Sequence, residues 1–415
     1  MFKNIITVIL LSCLFICCKP SHSTPKEGVK AATSISESIN NAVEEKIVLK
    51  VGAERLKEYL PFIKNKTIAV VVNQTSTVGE THLVDKLLSE GIKIKTIFAP
   101  EHGFRGTADA GAKIENGKDS KTGLPIISLY GKRKKPYASD LNGIDVVLFD
   151  IQDVGARFYT YISTMHYVME ACAENKKKFI VLDRPNPNGH YVDGPTREVA
   201  QKSFVGMHEI PIVHGMTIGE YAQMINGENW LKNDVQCDLT VIKCEGYDHN
   251  TFYELPVKPS PNLPNIRSIY LYPSLCLFEG TDVSVGRGTG YPFQIYGHPK
   301  LNGGTYEFVP QPTEGATSPK HKGKMCRGFN MTKVDLEELK EARQLNLDYL
   351  INFYGEFPDK ANFFNSFFKK LAGTTKLQQQ IEAQMSSHEI RETWKSGLAK
   401  FKTTRKKYLL YTDFE

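Results

Sequence analysis

Four runs of β-branched and aliphatic residues, each stopped by a polar cluster, constrain this chain more than any other feature. Residues 66–72 (KTIAVVV) run into Asn73-Gln74-Thr75-Ser76, and residues 92–98 (IKIKTIF) into Ala99-Pro100-Glu101-His102-Gly103. Residues 145–149 (DVVLF) run into Asp150-Ile151-Gln152-Asp153, and residues 178–182 (KFIVL) into Asp183-Arg184-Pro185-Asn186-Pro187-Asn188. Apolar runs without polar alternation are strands buried on both faces, the condition of a parallel sheet. Amphipathic helices fill the gaps. Residues 82–90 place Leu83, Val84, Leu87 and Leu88 on one face, with Gly91 as C-cap, and residues 157–175 repeat apolar side chains at three and four. Strands alternating with helices impose right-handed crossovers, hence an α/β fold with a doubly wound, mostly parallel sheet. Ligands of such sheets sit outside the carboxyl ends of the strands, where all four polar clusters fall.

Beyond Asp193 the pattern changes. Residues 216–226 predict a helix and 239–243 (LTVIK) a further strand, whereas the Pro- and Gly-rich stretch 256–300 predicts a long ordered loop. Residues 334–407 predict helices of a second lobe. The 415 residues, 41% hydrophobic and 24% charged, suit two domains with a sizeable core and exclude wholesale disorder. The net charge of +6 is spread along the chain, not gathered on one stripe, so nucleic acid is not an expected partner.

The amino terminus reads as an export signal: Lys3, then an apolar run from Ile5 to Ile16, then Cys17, Cys18 and a polar segment. Residues 1–18 are assigned as a lipoprotein signal, with Cys18 as the acyl site and Cys13 and Cys17 as alternatives. Residues 19–45, rich in Ser, Thr, Ala, Lys and Glu, predict a flexible tether. The expected location is exported and lipid-anchored in the cell envelope, on the periplasmic face or the outer membrane. Five further cysteines (Cys172, Cys237, Cys244, Cys276, Cys326) lack metal-type spacing and read mainly as buried thiols, with a Cys237–Cys244 bridge as the alternative.

Glu101, at the ligand edge of the sheet, is placed to carry a proton; the alternative is a solvated residue capping a turn. Asp150, Gln152 and Asp153 suit contacts to sugar hydroxyls or orientation of Glu101, and with His102 a hard cation is the alternative. Arg157 and Tyr159 open a helix whose amino end welcomes an anion. Arg184 suits a carboxylate clamp or a structural turn, and His214 a ligand contact or a cap. Gly286-Arg287-Gly288-Thr289-Gly290 lacks the Lys-Ser/Thr of a phosphate loop, so it reads as a mobile loop presenting Arg287. Glu279 is the second candidate carboxylate. No G-x-S-x-G elbow or cysteine–histidine pair supports acyl chemistry; two carboxylates among hydroxyl-binding side chains suggest sugar chemistry.

At these residues the chain resembles the exo-β-N-acetylmuramidases of the NamZ type. The resemblance is carried by Phe98-Ala-Pro-Glu-His-Gly-Phe-Arg-Gly106, Gly143-Ile-Asp-Val-Val-Leu-Phe-Asp-Ile-Gln-Asp-Val-Gly155, Arg157-Phe-Tyr-Thr-Tyr-Ile-Ser-Thr164 and Leu182-Asp-Arg-Pro-Asn-Pro-Asn-Gly189. Val213-His-Gly-Met-Thr-Ile-Gly-Glu220 and Phe278-Glu-Gly-Thr-Asp-Val-Ser-Val-Gly-Arg-Gly-Thr289 complete it. It implies a Rossmann-like catalytic domain (46–230) and a smaller C-terminal α+β domain (231–415) that completes the cleft. It also implies release of terminal N-acetylmuramic acid from peptidoglycan-derived saccharides; no cofactor is expected, and no metal, since no H-x-H, H-E-x-x-H or D-x-D-x-D-G pattern is present. Glu101 is carried over as catalytic acid, with Glu279 as nucleophile or base, or with Asp150 or Asp153 orienting the sugar's acetamido group. The lactyl carboxylate calls for an arginine among Arg105, Arg157, Arg184 and Arg287. Asn73, His102, Asp150, Gln152, Asp153, Tyr159, Asn186 and His214 complete the expected substrate contacts. The rival expectation is a lipid-anchored sugar-capture protein.

Overall fold

The computed structural model describes residues 48–101, 103–104 and 117–415. The expected signal (1–18), tether (19–45) and acyl site Cys18 lie outside the described residues, as do His102 and Arg105. No helix among the described residues is long and apolar enough to cross a membrane.

Helix α1 (Leu56–Ile63) leads into β1 (Thr67–Val72); a short hairpin, β2 (Thr77–Val78) and β3 (Thr81–His82), then feeds α2 (Leu83–Ser89) and β4 (Lys93–Ala99). There follow β5 (Gly117–Lys118), β6 (Pro125–Ser128), β7 (Val146–Asp150), α3 (Tyr161–Glu174), β8 (Lys178–Leu182), α4 (Ile218–Gly227) and β9 (Leu239–Ile242). Seven strands form one sheet in the order β5-β6-β4-β1-β7-β8-β9. All neighbours are parallel except β5, which runs antiparallel to β6. Side-chain alternation splits the strands between two cores. Ala69, Val71, Val147, Phe149, Phe179 and Val181 pack with the helices α3 and α4. Ile68, Val70, Val72, Val146, Leu148 and Ile180 pack on the other face with α1 and α2. Both faces are dry, which is why these strands read as unbroken apolar runs. Because β9 joins this sheet, the α/β layer extends past residue 230.

The smaller C-terminal α+β part begins with α5 (Ile266–Leu275), which overturns the long loop expected for residues 256–300. Asn265 caps α5, its side chain accepting from the Ser268 N–H at 3.0 Å. Pro273 lies inside the helix and has no N–H to give the Ile269 carbonyl. That carbonyl accepts instead from Asn188 Nδ2 at 3.2 Å, so a side chain from the loop after β8 repairs the helix. A three-stranded antiparallel sheet follows, β10 (Ile295–His298), β11 (Tyr306–Phe308) and β12 (Cys326–Asn330), in the order β10-β12-β11. Short helices occupy most of the chain from Leu336 to Arg405. The tail then returns to the first sheet: the Tyr411 hydroxyl donates to Asp183 Oδ2 at 2.6 Å and the Leu410 N–H to Glu220 Oε1 at 2.8 Å. The five described cysteines are buried and free, so Cys237 and Cys244 form no bridge.

Candidate active site

A cavity of about 500 Å³ opens beside the carboxyl end of β4, and residues of both parts line it. From the α/β part come Glu101, Tyr130, Tyr159, Thr160 and Tyr161; from the C-terminal part come Tyr272, Glu279, Arg287, Phe293 and Lys320. Glu101 follows β4 across Pro100. Its Oε2 accepts from the Thr160 hydroxyl at 2.8 Å, and Tyr130 also hydrogen-bonds the carboxylate. The Tyr161 hydroxyl lies 3.5 Å from the Glu101 main-chain oxygen. Burial, followed by the charge of Glu101, raises the pKa of both phenols, so each stays a proton donor over the physiological range. Thr160 is the N-cap residue of α3, so the helix begins at the pocket wall and its dipole favours negative charge there.

Glu279 sits in the 3₁₀ turn Cys276–Gly280 that continues α5. Arg287 holds it by two bonds, Nε to Oε1 at 2.9 Å and Nη2 to Oε2 at 3.1 Å, and the guanidinium lies 5.0 Å from the centre of the Phe293 ring. Burial alone would raise the Glu279 pKa, but Arg287 and then Lys320 outweigh it, so the carboxylate is held below its ordinary range and stays ionised. The glycines flanking Arg287 are backbone requirements. Gly286 and Gly288 have φ of 77° and 79°, and a Cβ on Gly288 would lie 2.4 Å from the Gln311 carbonyl oxygen.

Among the described residues, Asn73, Asp150, Gln152, Asp153, Arg157, Arg184, Asn186 and His214 do not line this cavity; each is buried and engaged within the protein. Arg184 spreads over both oxygens of Asp150, at 2.6 and 2.9 Å, and donates to the Thr77 carbonyl at 3.0 Å. Arg157 donates to three main-chain carbonyls, of Pro195, Ile210 and Leu371, within 2.8 Å. Asn73 folds its Oδ1 onto Thr75, and Gln152 gives its amide to the Asp153 and Pro185 carbonyls. Asp153 accepts from the Gly155 N–H at 2.7 Å and lies 3.6 Å from His214, whose Nδ1 accepts from the Met216 N–H. Asn186 donates to the Met216 carbonyl at 2.9 Å. These clusters tie the strand ends together: the Ser76 hydroxyl bonds the Asp150 carbonyl, and the Gln152 N–H bonds the Thr75 hydroxyl at 3.0 Å. Tyr159 does line the cavity, with its hydroxyl on the Pro259 carbonyl at 2.8 Å.

Sequence reasoning did not assign Tyr130, Thr160, Phe293 or Lys320. Thr160 lies within the quoted Arg157–Thr164 motif and carried a signal; Lys320 carried none. Among the described residues, the group closest to a metal-binding geometry is Asp282, His298 and His321. Its hydrogen bonds oppose that use. His298 Nδ1 accepts from the Lys300 N–H at 2.9 Å, which puts the proton on Nε2, and Nε2 donates to Asp282 Oδ2 at 2.9 Å. No lone pair of that ring is left for an ion.

Two family models match the chain: "Exo-beta-N-acetylmuramidase NamZ, N-terminal" over residues 68–267 and its C-terminal counterpart over residues 270–411. The peptidoglycan beta-N-acetylmuramidase NamZ of Bacillus subtilis (strain 168) is 38% identical over 404 residues, covering 92% of this chain and 96% of that protein. Crystal structures of two DUF1343 family proteins of Bacteroides fragilis NCTC 9343 share the fold. One is 50% identical with a TM-score of 0.83, the other 30% identical with a TM-score of 0.72, and each comparison covers 88% of this chain and 99% of the other.

Proposed function

Because the chain belongs to the exo-β-N-acetylmuramidase NamZ family, we propose that it releases terminal β-linked N-acetylmuramic acid from the non-reducing end of peptidoglycan fragments, with Glu101 as general acid. The coarser statement, a glycosidase of the NamZ type acting on peptidoglycan fragments, rests on the family. The observation that supports the finer one is the contrast between two carboxyls on one cavity. Thr160 and Tyr130 hydroxyls hold Glu101, whereas a guanidinium grips Glu279 and keeps it ionised. In glycosidases one carboxyl protonates the leaving oxygen while a second carries negative charge beside C1. Glu101 gives its proton to the glycosidic oxygen as the bond from C1 to that oxygen breaks. Glu279 provides negative charge for the oxocarbenium-like transition state; water then bonds to C1 of the released sugar and gives its proton to the Glu101 carboxylate, which restores the acid. Among the described residues, Arg287 is the arginine on the cavity wall, and its bonds to Glu279 use Nε and Nη2. Its Nη1 is the group we assign to the lactyl carboxylate, in place of the buried Arg157 and Arg184.

Colour release from 4-nitrophenyl β-N-acetylmuramide, with the glucosamine analogue as control and EDTA present, tests the reading. Turnover of the muramide alone is expected. Saturable binding of muramic acid without turnover would make the protein a sugar-capture protein, and activity lost to EDTA would point to a metal-dependent hydrolase. We also propose that the chain is exported and held at the cell envelope through Cys18.

A further inference from the structure

Lys320 reaches the cavity wall from a loop that wedges between two other loops. The Gln311 N–H donates to the Gly288 carbonyl at 2.8 Å, Pro319 packs on Gly288, and Gly315 lies against Pro261. From there the ammonium faces inward. It lies 2.6 Å from the Thr281 carbonyl oxygen, 3.2 Å from those of Phe278 and Glu279, and 3.3 Å from that of Val283. An ammonium has three N–H donors, and four carbonyls surround these. These carbonyls belong to the segment that leaves the turn carrying Glu279 and climbs toward Arg287. Without a cation at their centre, four carbonyl dipoles pointing at one another would repel.

We infer that Lys320 is a positioning residue: a built-in cation around which main-chain residues 278–283 fold, fixing the Glu279–Arg287 pair in the cavity. The claim rests on the proposed function for its link to catalysis, but the cage itself stands on the distances alone. Lys320 therefore does not serve as the carboxylate's partner even though it lines the cavity, because its donors are already committed. Desolvation lowers its affinity for the proton, as a mostly buried ammonium requires, and the nearby Glu279 and Asp282 charges oppose that loss.

A cage of carbonyls built for a cation accepts a replacement. Lys320→Ala opens the cage, and ethylammonium chloride is the probe, with tetramethylammonium chloride, which has no N–H, at equal ionic strength. The variant's thermal midpoint is expected to rise saturably by about 2–4 °C with ethylammonium only, and the wild type's to show no such difference. If the variant folds poorly, its recovery in ethylammonium but not in tetramethylammonium is the same result. Lys320→Met, which fills the space without charge, is expected to show no ethylammonium response. On the muramide, Lys320→Ala is expected to lose about 10²-fold in kcat/KM and regain part of it with ethylammonium. Equal responses to both salts, or a variant as stable and active as wild type, would overturn the inference. A wild-type protein inactive on muramides would count against the proposed function alone, since the thermal comparison still decides the cage.

Discussion

Arg184 and Asp150 are 2% and 0% exposed at their side chains, and two hydrogen bonds join them there. Removing one partner of such a pair strands the other, so Arg184→Met is expected to cost about 3–5 kcal/mol in urea unfolding. Were Arg184 a substrate clamp, the variant would instead keep its stability and lose affinity for the muramide. Asp183, the residue before it, makes the opposite demand. Burial raises its carboxyl to about 6, although the Thr217 hydroxyl, the Gly219 N–H and Tyr411 all donate to it. The unfolded carboxyl titrates near ~3.9, so the folded protein keeps a proton that the unfolded chain has already lost. This contribution is fully present below pH ~4 and fades as pH rises through about 6. Relative to Asp183→Asn, wild type is expected to lose stability between those values and run parallel above them. Parallel curves throughout would contradict the assignment.

At the scale of elements, α5 shows what a helix needs when its sequence argues against it. Pro273 frees the Ile269 carbonyl, and Asn188 fills it from another part of the chain. Asn188→Ala is expected to cost about 1–3 kcal/mol. Combining it with Pro273→Ala should recover part of that loss, because the second substitution restores the missing N–H. Strictly additive costs would mean that Asn188 does not act through that carbonyl. The same contact explains what the sequence hid. A proline and several glycines read locally as loop, and their compensation came from a residue 81 positions away. The strands were legible because burial on both faces leaves an unbroken apolar run, and each formed within one residue of its expected bounds. Glu101 was legible because a carboxyl just past such a run must sit at the sheet's ligand edge. Asp150 and Arg184 misled because β7 and β8 lie side by side, which lets polar residues at their ends satisfy one another. That pairing follows from strand order rather than from any local pattern. The cage around Lys320 had no counterpart in sequence, since its four acceptors are main-chain carbonyls that every residue carries.

For the whole molecule, the cavity draws its proposed proton carrier, Glu101, from the α/β part and the Glu279–Arg287 ion pair from the C-terminal part, so neither part alone forms the proposed catalytic arrangement. The amino-terminal cysteine adds a question of place. A full-length chain expressed with its own signal is expected to enter the detergent phase on Triton X-114 partition, and Cys18→Ser to stay in the aqueous phase. Aqueous partition of both would remove the anchor. The central claim is that Glu101 protonates the leaving group, and its test is the dependence of Glu101→Gln on what leaves. A general acid contributes about 10²–10⁴-fold where the leaving oxygen needs a proton and far less where it does not. The measurement is kcat/KM of wild type and Glu101→Gln on β-linked N-acetylmuramyl-N-acetylglucosamine and on 2,4-dinitrophenyl β-N-acetylmuramide. The account predicts a loss of about two orders of magnitude or more on the disaccharide and a much smaller loss on the dinitrophenyl sugar. Equal losses on both substrates, or an undiminished rate on the disaccharide, would contradict it.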